Sequence, residues 1–222
     1  MELMLIRHGE PDYANDALTQ TGHAQAKLLA AALAAERIDE LFASPMGRAQ
    51  LTARYTADAK QLPITTLDWL HELDGNHRDN LWAWNQSGSE TFLGETPIRI
   101  DNWHRCVGYG PHMQRVVAPF HAAFDAFLAH RGAVRQGQRY RVPHATGRTL
   151  AFFCHAGVIL TLLAHLLHVP LPVAYAQFAC EPSSRTTLRF EHEGGFGVFR
   201  LLSLNDLSHL RGLDAGSPVR AT

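Results

Sequence analysis

Four apolar residues in a row, Leu3-Met4-Leu5-Ile6, end at the polar group Arg7-His8-Gly9. A short continuous apolar run predicts a strand buried on both faces, and its polar end marks the carboxyl edge of a sheet. Thr19 stands where an N-cap would. Beyond it Ala26, Leu29, Ala30 and Leu33 recur at helical spacing, so a capped amphipathic helix is predicted. Leu41-Phe42-Ala43 predicts a second strand. Ser44 then reads as the N-cap of another helix, with Pro45 at its first position. Strand, helix, strand, helix in this order predicts an α/β unit around a parallel sheet. Val117, Phe120, Phe124 and Phe127 mark a later amphipathic helix. Leu150–Cys154 predicts another buried strand, ending at His155-Ala156-Gly157, and Ile159, Leu162, Leu163 and Leu166 follow at helical spacing. Two last strands are predicted near 185–191 and 196–203, around Gly194-Gly195.

Between these elements the pattern loosens. Residues 74–112 are rich in Gly, Asn, Trp and charge. They predict an insertion with short helices lying over the sheet, with Trp82, Trp84 and Trp103 packing it down and, as the alternative, lining a substrate pocket. Residues 131–148 hold five arginines and no acidic residue, which predicts a loop or small hairpin facing solvent. No repeat, low-complexity segment or linker divides the chain. One domain is expected over 1–212, with the insertion at about 74–115, the Arg-rich loop at about 131–148 and a frayed tail over 213–222.

Composition narrows the function classes. Among 222 residues, 20 Lys+Arg face 21 Asp+Glu, so the chain lacks the basic field of a nucleic-acid binder. The longest apolar run, Leu28–Ala35, is too short to cross a membrane, and Met1–Ile6 is too short for a signal peptide. Cys106, Cys154 and Cys180 are odd in number and scattered; they form neither a disulfide framework nor a CxxC pair, which fits the reducing cytoplasm. Fourteen histidines invite a metal reading. His165 and His168 lie three apart on a helix, but no acidic or cysteine partner follows locally. A structural zinc needs a closed ligand set, so neither metal nor cofactor is expected.

The chemistry concentrates at two strand ends, Arg7-His8-Gly9 and His155-Ala156-Gly157. Ligands of open α/β sheets sit at the carboxyl ends of the parallel strands. Arg7-His8-Gly9-Glu10 resembles the signature of the histidine phosphatase superfamily, which includes the cofactor-dependent phosphoglycerate mutases. The resemblance extends through Leu18-Thr19-x-x-Gly22-x-x-Gln25-Ala26 and Ser44-Pro45-Met46-x-Arg48-Ala49-x-x-Thr52-Ala53. Leu70-x-Glu72, His155-Ala156-Gly157-Val158-Ile159 and Asn205-Asp206-x-x-His209-Leu210 complete it in the same order, across nearly the whole chain except 74–115 and 131–148.

That resemblance implies a three-layer α/β/α sandwich with a mostly parallel central sheet and a helical insertion over its C-terminal edge. It implies a phosphatase that hydrolyses a small phosphomonoester through a phosphohistidine. His8 would be the nucleophile, its Nδ1 proton held by a fixed acceptor such as a backbone carbonyl. Arg7 and Arg48 would bind the phosphoryl oxygens with forked guanidinium donors. His155 would add a donor as imidazolium, helped by the amides that open its helix. Asn15 and Gly22 would also contact phosphate. Glu72 would be the general acid and then base; Asp74, Glu10 and Asp12 are alternative carboxylates. Asn205, Asp206 and His209 read as structural. A mutase is the rival within the family; Arg99, Arg105 and Arg115 supply extra charge for it, but its further basic residues find no match here. A phospho-ligand binding protein without turnover is the rival outside enzymes, and clustered carboxylates for a metal-dependent hydrolase are missing.

Overall fold

The computed structural model describes residues 1–78, 81–94, 96–106, 108–142 and 147–211. The tail expected from Gly212 lies outside the described residues, as do 143–146 of the Arg-rich stretch. In chain order the elements are β1 (Glu2–Arg7), β2 (Pro11–Asp12), β3 (Ala17–Leu18), α1 (Gln20–Leu33), β4 (Glu40–Ala43), α2 (Gly47–Lys60) and β5 (Ile64–Thr66). The insertion carries β6 (Asn76–Arg78), β7 (Leu81–Trp82), α3 (Gly88–Thr91) and three-residue 3-10 turns. Then come α4 (Gly110–Ala129), β8 (Val134–Gln136), β9 (Arg139–Arg141), β10 (Thr149–Cys154), α5 (Ala156–Leu167), α6 (Leu171–Gln177), β11 (Arg185–Glu193) and β12 (Phe196–Asp206).

Eight strands form the central sheet in the order β5-β4-β10-β1-β11-β12-β9-β8. The half from β5 to β1 is parallel. Beyond β1 the pairings are antiparallel, because β11 and β12 form a hairpin over Gly194-Gly195 and β8 and β9 a second one. The Arg-rich stretch is thus partly a hairpin at the sheet's edge.

Strand β1 shows why its apolar run is continuous. Leu3 and Leu5 point into one core with Phe42, Phe152 and the inner faces of α4 and α5. Met4 and Ile6 point into the other, with Leu29 and Leu33 of α1 and Ala53 and Ala57 of α2. Alternation still operates, but both faces are covered, which makes the three layers. Truncating a fully buried ring such as Phe152 would cost about 3–5 kcal/mol. Thr19 caps α1 as expected, its side chain accepting from the Gly22 amide. Helix α5 differs from its one-faced pattern: Ala156 through Ala164 are all buried, between the sheet, α4 and α6. No described helix is long and apolar enough to cross a membrane.

Candidate active site

In the β1–β10 ladder Arg7 pairs with Cys154. The residues that follow, His8 and His155, therefore leave the sheet side by side, with ring centroids 5.1 Å apart. Both are buried. His8 Nδ1–H donates to its neighbour's carbonyl, Gly9 O, at 2.7 Å. A carbonyl only accepts, so the proton is fixed on Nδ1 and Nε2 is left with its lone pair. Arg48 Nε–H points at that atom from 3.3 Å. Burial first, then Arg7 and Arg48, push the His8 pKa down to about 3, so the ring stays neutral.

The His8 backbone is clamped from both sides. Its amide donates to Cys154 O, and its carbonyl accepts from Ser183, whose φ is +66°. The Gly9 amide donates to Thr52 Oγ1 of α2. Arg7 reaches along the 180–184 loop to Cys180 O, and its amide donates to Ser184 O. That loop is held in turn by Asn205 Oδ1, which accepts from the Glu181 amide, and by His209, which pairs with Ser183 Oγ. Asp206 bonds Arg185.

Arg48 enters from the first turn of α2, and here the structure corrects one expectation. Ser44 is not the cap of α2; the helix begins at Gly47 with Met46 as its cap. Buried Ser44 accepts from the Met46 amide and lies 2.8 Å from His155 Nε2. The open helix end is filled by Asp16, whose carboxylate accepts from the Gly47 amide and, at 2.6 Å, from Arg48 Nη1. Asp16 sits at φ +47°, a conformation that Asp tolerates better than most residues. A side chain on Gly47 would lie 2.3 Å from the Asp16 carbonyl oxygen, so this close approach requires glycine.

His155 is neutral in this site rather than the expected imidazolium. Burial first, then His8, Arg48 and Arg7, lower its pKa to about 2. Its Nδ1 has no protein partner among the described residues. Of the amides that open its helix, that of Gly157 bonds Glu72. Glu72 Oε1 also accepts from the Leu73 amide. Burial outweighs these bonds and the nearby Arg7 and Arg48 charges, and raises the Glu72 pKa to about 7. Asp74 is exposed, and Glu10 is turned away to Thr19.

Two expected phosphate contacts are not brought in. Asn15 is exposed, and its amide donates to Asp12 Oδ2 at 2.7 Å within the β2–β3 turn. The Gly22 amide is spent on the Thr19 cap, and a side chain there would meet Glu10 O at 2.2 Å. Gly22 lets α1 start against the Gly9-Glu10 backbone; it does not face a ligand. Asp12 is likewise committed to Asn15. Asp16 takes the place expected of Asn15, but by holding Arg48. Sequence reading passes over it because an acid in a surface turn carries no pattern of its own.

Above these side chains opens a cavity of about 890 Å³, lined by Arg7, Arg48 and Glu72 below and by Tyr13, Asp74, Trp82, Trp84, Tyr175 and Glu181 around its wall. Trp82 and Trp84 stack at 5.1 Å, and Trp84 is seated against Gly75 and Gly157. The insertion tryptophans thus line the pocket as well as pack. Trp103, by contrast, packs against the core. Arg99, Arg105 and Arg115 are exposed and do not line the cavity. Away from the site, His165 pairs with Asp125 at 3.0 Å and His168 bonds Gln138 O, so the two do not share a ligand.

A sheet whose parallel strands deliver Arg7, His8 and His155 beside Arg48 of α2 defines a class. Residues 3–206 match the family model of the histidine phosphatase superfamily, branch 1, and the chain belongs to that family. Among curated proteins it is 35% identical to phosphoserine phosphatase 1 of Hydrogenobacter thermophilus over 83 residues, 33% of this chain and 39% of that protein. Its fold is that of an Entamoeba histolytica phosphoserine phosphatase mutant bound to phosphoserine (20% identity, TM-score 0.66, covering 94% of this chain and 98% of that one). It is also that of a mycobacterial glucosyl-3-phosphoglycerate phosphatase complexed with VO3 (20% identity, TM-score 0.63, 92% and 98% covered).

Proposed function

We propose that this protein is a phosphatase that hydrolyses a small phosphomonoester through a phosphohistidine at His8. The observation that carries the reading is the His8 ring. Its proton is locked on Nδ1, and its Nε2 lone pair is unprotonated beside Arg48, which lines the cavity together with Arg7 and Glu72. The named activities of the similar proteins support the same class.

The phosphoryl group sits between Arg7, Arg48 and His155. Arg48 Nε moves its hydrogen bond from His8 Nε2 to a phosphoryl oxygen and so frees the nucleophile. With the Ser44 hydroxyl donating to Nε2, neutral His155 carries its proton on the unpartnered Nδ1 and donates a hydrogen bond from it to another oxygen. His8 Nε2 then forms a bond to phosphorus as the bond to the ester oxygen breaks. Glu72, whose pKa of about 7 leaves about half of it protonated near pH 7, passes its proton to that oxygen, and the alcohol leaves. In the second half the Glu72 carboxylate takes a proton from water, the water oxygen attacks phosphorus, and the P–N bond returns its electron pair to His8. The three arginines that suggested a mutase are not among the described residues lining the cavity.

Acid-labile, base-stable phosphate should appear on the protein after quenching with a labelled phosphomonoester, and His8→Ala should abolish it. Labelling that survives His8→Ala would remove the nucleophile assignment.

A further inference from the structure

We propose that the leaving alcohol carries an ammonium group, so that the substrate is an ammonium-bearing alkyl phosphomonoester of the choline or ethanolamine kind. This deepens the phosphatase reading and rests on it. Arg7 and Arg48 line the cavity and place their charges beside His8, and in that reading both serve the phosphoryl oxygens. The leaving group must then be met by the wall. There the described residues offer two exposed carboxylates, Asp74 and Glu181, and the exposed ring of Trp82, backed by Trp84 stacked on it, while Tyr13 already lies under the Arg48 guanidinium at 5.4 Å. Among the described residues lining the cavity no cation other than Arg7 and Arg48 is present.

Each feature discriminates by charge. Indole and phenol rings attract a cation through their quadrupole, most strongly for tryptophan and most usefully for ammonium groups that shed water easily. Carboxylates at the rim add long-range attraction for a cation and repulsion for an anion. A substrate carboxylate, as in phosphoserine or phosphoglycerate, would face Asp74 and Glu181 with no described cation of its own. The cavity, at about 890 Å³, has room for a trimethylammonium head beyond the phosphate. A sugar would fit by volume as well, and its hydroxyls would donate to the carboxylates, but it brings no positive charge to match theirs. Trp84 is not free to retreat, since its ring is wedged against Gly75 and Gly157 and edge-on to Tyr175.

The test is steady-state kcat/KM of the full chain on matched esters. Phosphocholine and 3,3-dimethylbutyl phosphate differ only in the charge at the quaternary centre. Phosphoethanolamine and phosphoserine differ only in the carboxylate. The cationic ester should be preferred in the first pair by about tenfold or more, and phosphoethanolamine should be preferred in the second. Asp74→Asn combined with Glu181→Gln should bring the first ratio towards one. A first ratio at or below one, or a preference for phosphoserine or 3-phosphoglycerate, overturns the assignment. If p-nitrophenyl phosphate is still turned over in a His8-dependent way, the phosphatase reading survives that result. No His8-dependent turnover of any ester overturns both.

Discussion

Glu72 offers the sharpest quantitative check, because its pKa of about 7 lies inside the working range. Replacing it by Gln keeps the shape and the hydrogen bond from Leu73 but removes the proton. For an alkyl phosphate, whose leaving oxygen must be protonated as the bond breaks, the first step follows the protonated fraction. That fraction is about one half near pH 7 and about 1% near pH 9, so kcat/KM should fall by about 50-fold over those two units. An aryl ester such as p-nitrophenyl phosphate leaves with little help and should stay nearly flat. His8, at about 3, contributes nothing to this window. The second ionisation of the ester, near about pH 6, affects both substrates alike and cancels in their ratio. The alkyl-to-aryl ratio of kcat/KM is therefore the assay. In the parent protein it should be level below about pH 6 and then fall about tenfold per unit above pH 7. In Glu72→Gln it should be level throughout and lower by about two to four orders of magnitude. Phosphoenzyme should also accumulate with the aryl ester, since the base for water is gone. An inflection that persists in Glu72→Gln, or that disappears instead in Asp74→Asn, would refute the assignment.

Asp16→Asn should lower kcat/KM by about tenfold for alkyl and aryl esters alike, because Asp16 orients Arg48 on the phosphoryl group and does not touch the leaving group. An altered alkyl-to-aryl ratio would count against that role. Gly157→Ala places a methyl group 2.7 Å from Glu72 Oε1 and 2.8 Å from Trp84, so thermal unfolding should show a loss of about 1–3 kcal/mol and turnover of alkyl phosphates should drop more than that of aryl ones. Asn15→Ala should leave kcat/KM within about twofold, since its amide serves only Asp12 in a surface turn; a larger loss of substrate binding would restore it to the phosphate site.

How much of this was legible in the sequence depended on whether a residue's partner lay nearby in the pattern. The β1 and β10 strands were readable because each is a run of apolar residues closed by a histidine. Their parallel pairing then sets His8 beside His155 without further information. Thr19 was readable because a cap acts on a donor three residues away. Ser44 was misread for the same local reason: Ser-Pro suits a helix start, but the helix amide it would have capped is taken by Asp16, 31 residues upstream of Gly47. Asn15 failed in the opposite sense. Its type suited a phosphate contact, yet Asp12 within the same turn satisfied it first. Gly22 reads alike as a ligand-facing amide and as a packing requirement, and only the Glu10 carbonyl lying against it decides. The pocket wall was least legible, because Trp82 and Trp84 look the same in sequence whether they fill a core or line a cavity.

The charge state of the site follows from a similar competition that no motif displays. Two guanidiniums, two imidazoles and one carboxyl share a space mostly closed to water. Full protonation would place four positive charges within a few ångströms, which burial forbids. The least costly arrangement keeps the guanidiniums charged and leaves both histidines neutral and Glu72 near its midpoint. That compromise yields the protonation pattern that hydrolysis of a phosphate ester requires: a lone pair on His8 Nε2, a proton available from Glu72, and a positive floor for the anion. His155 needs no second proton to take part, since with Ser44 beside Nε2 the proton of the neutral ring can sit on the unpartnered Nδ1, where an anion would meet it.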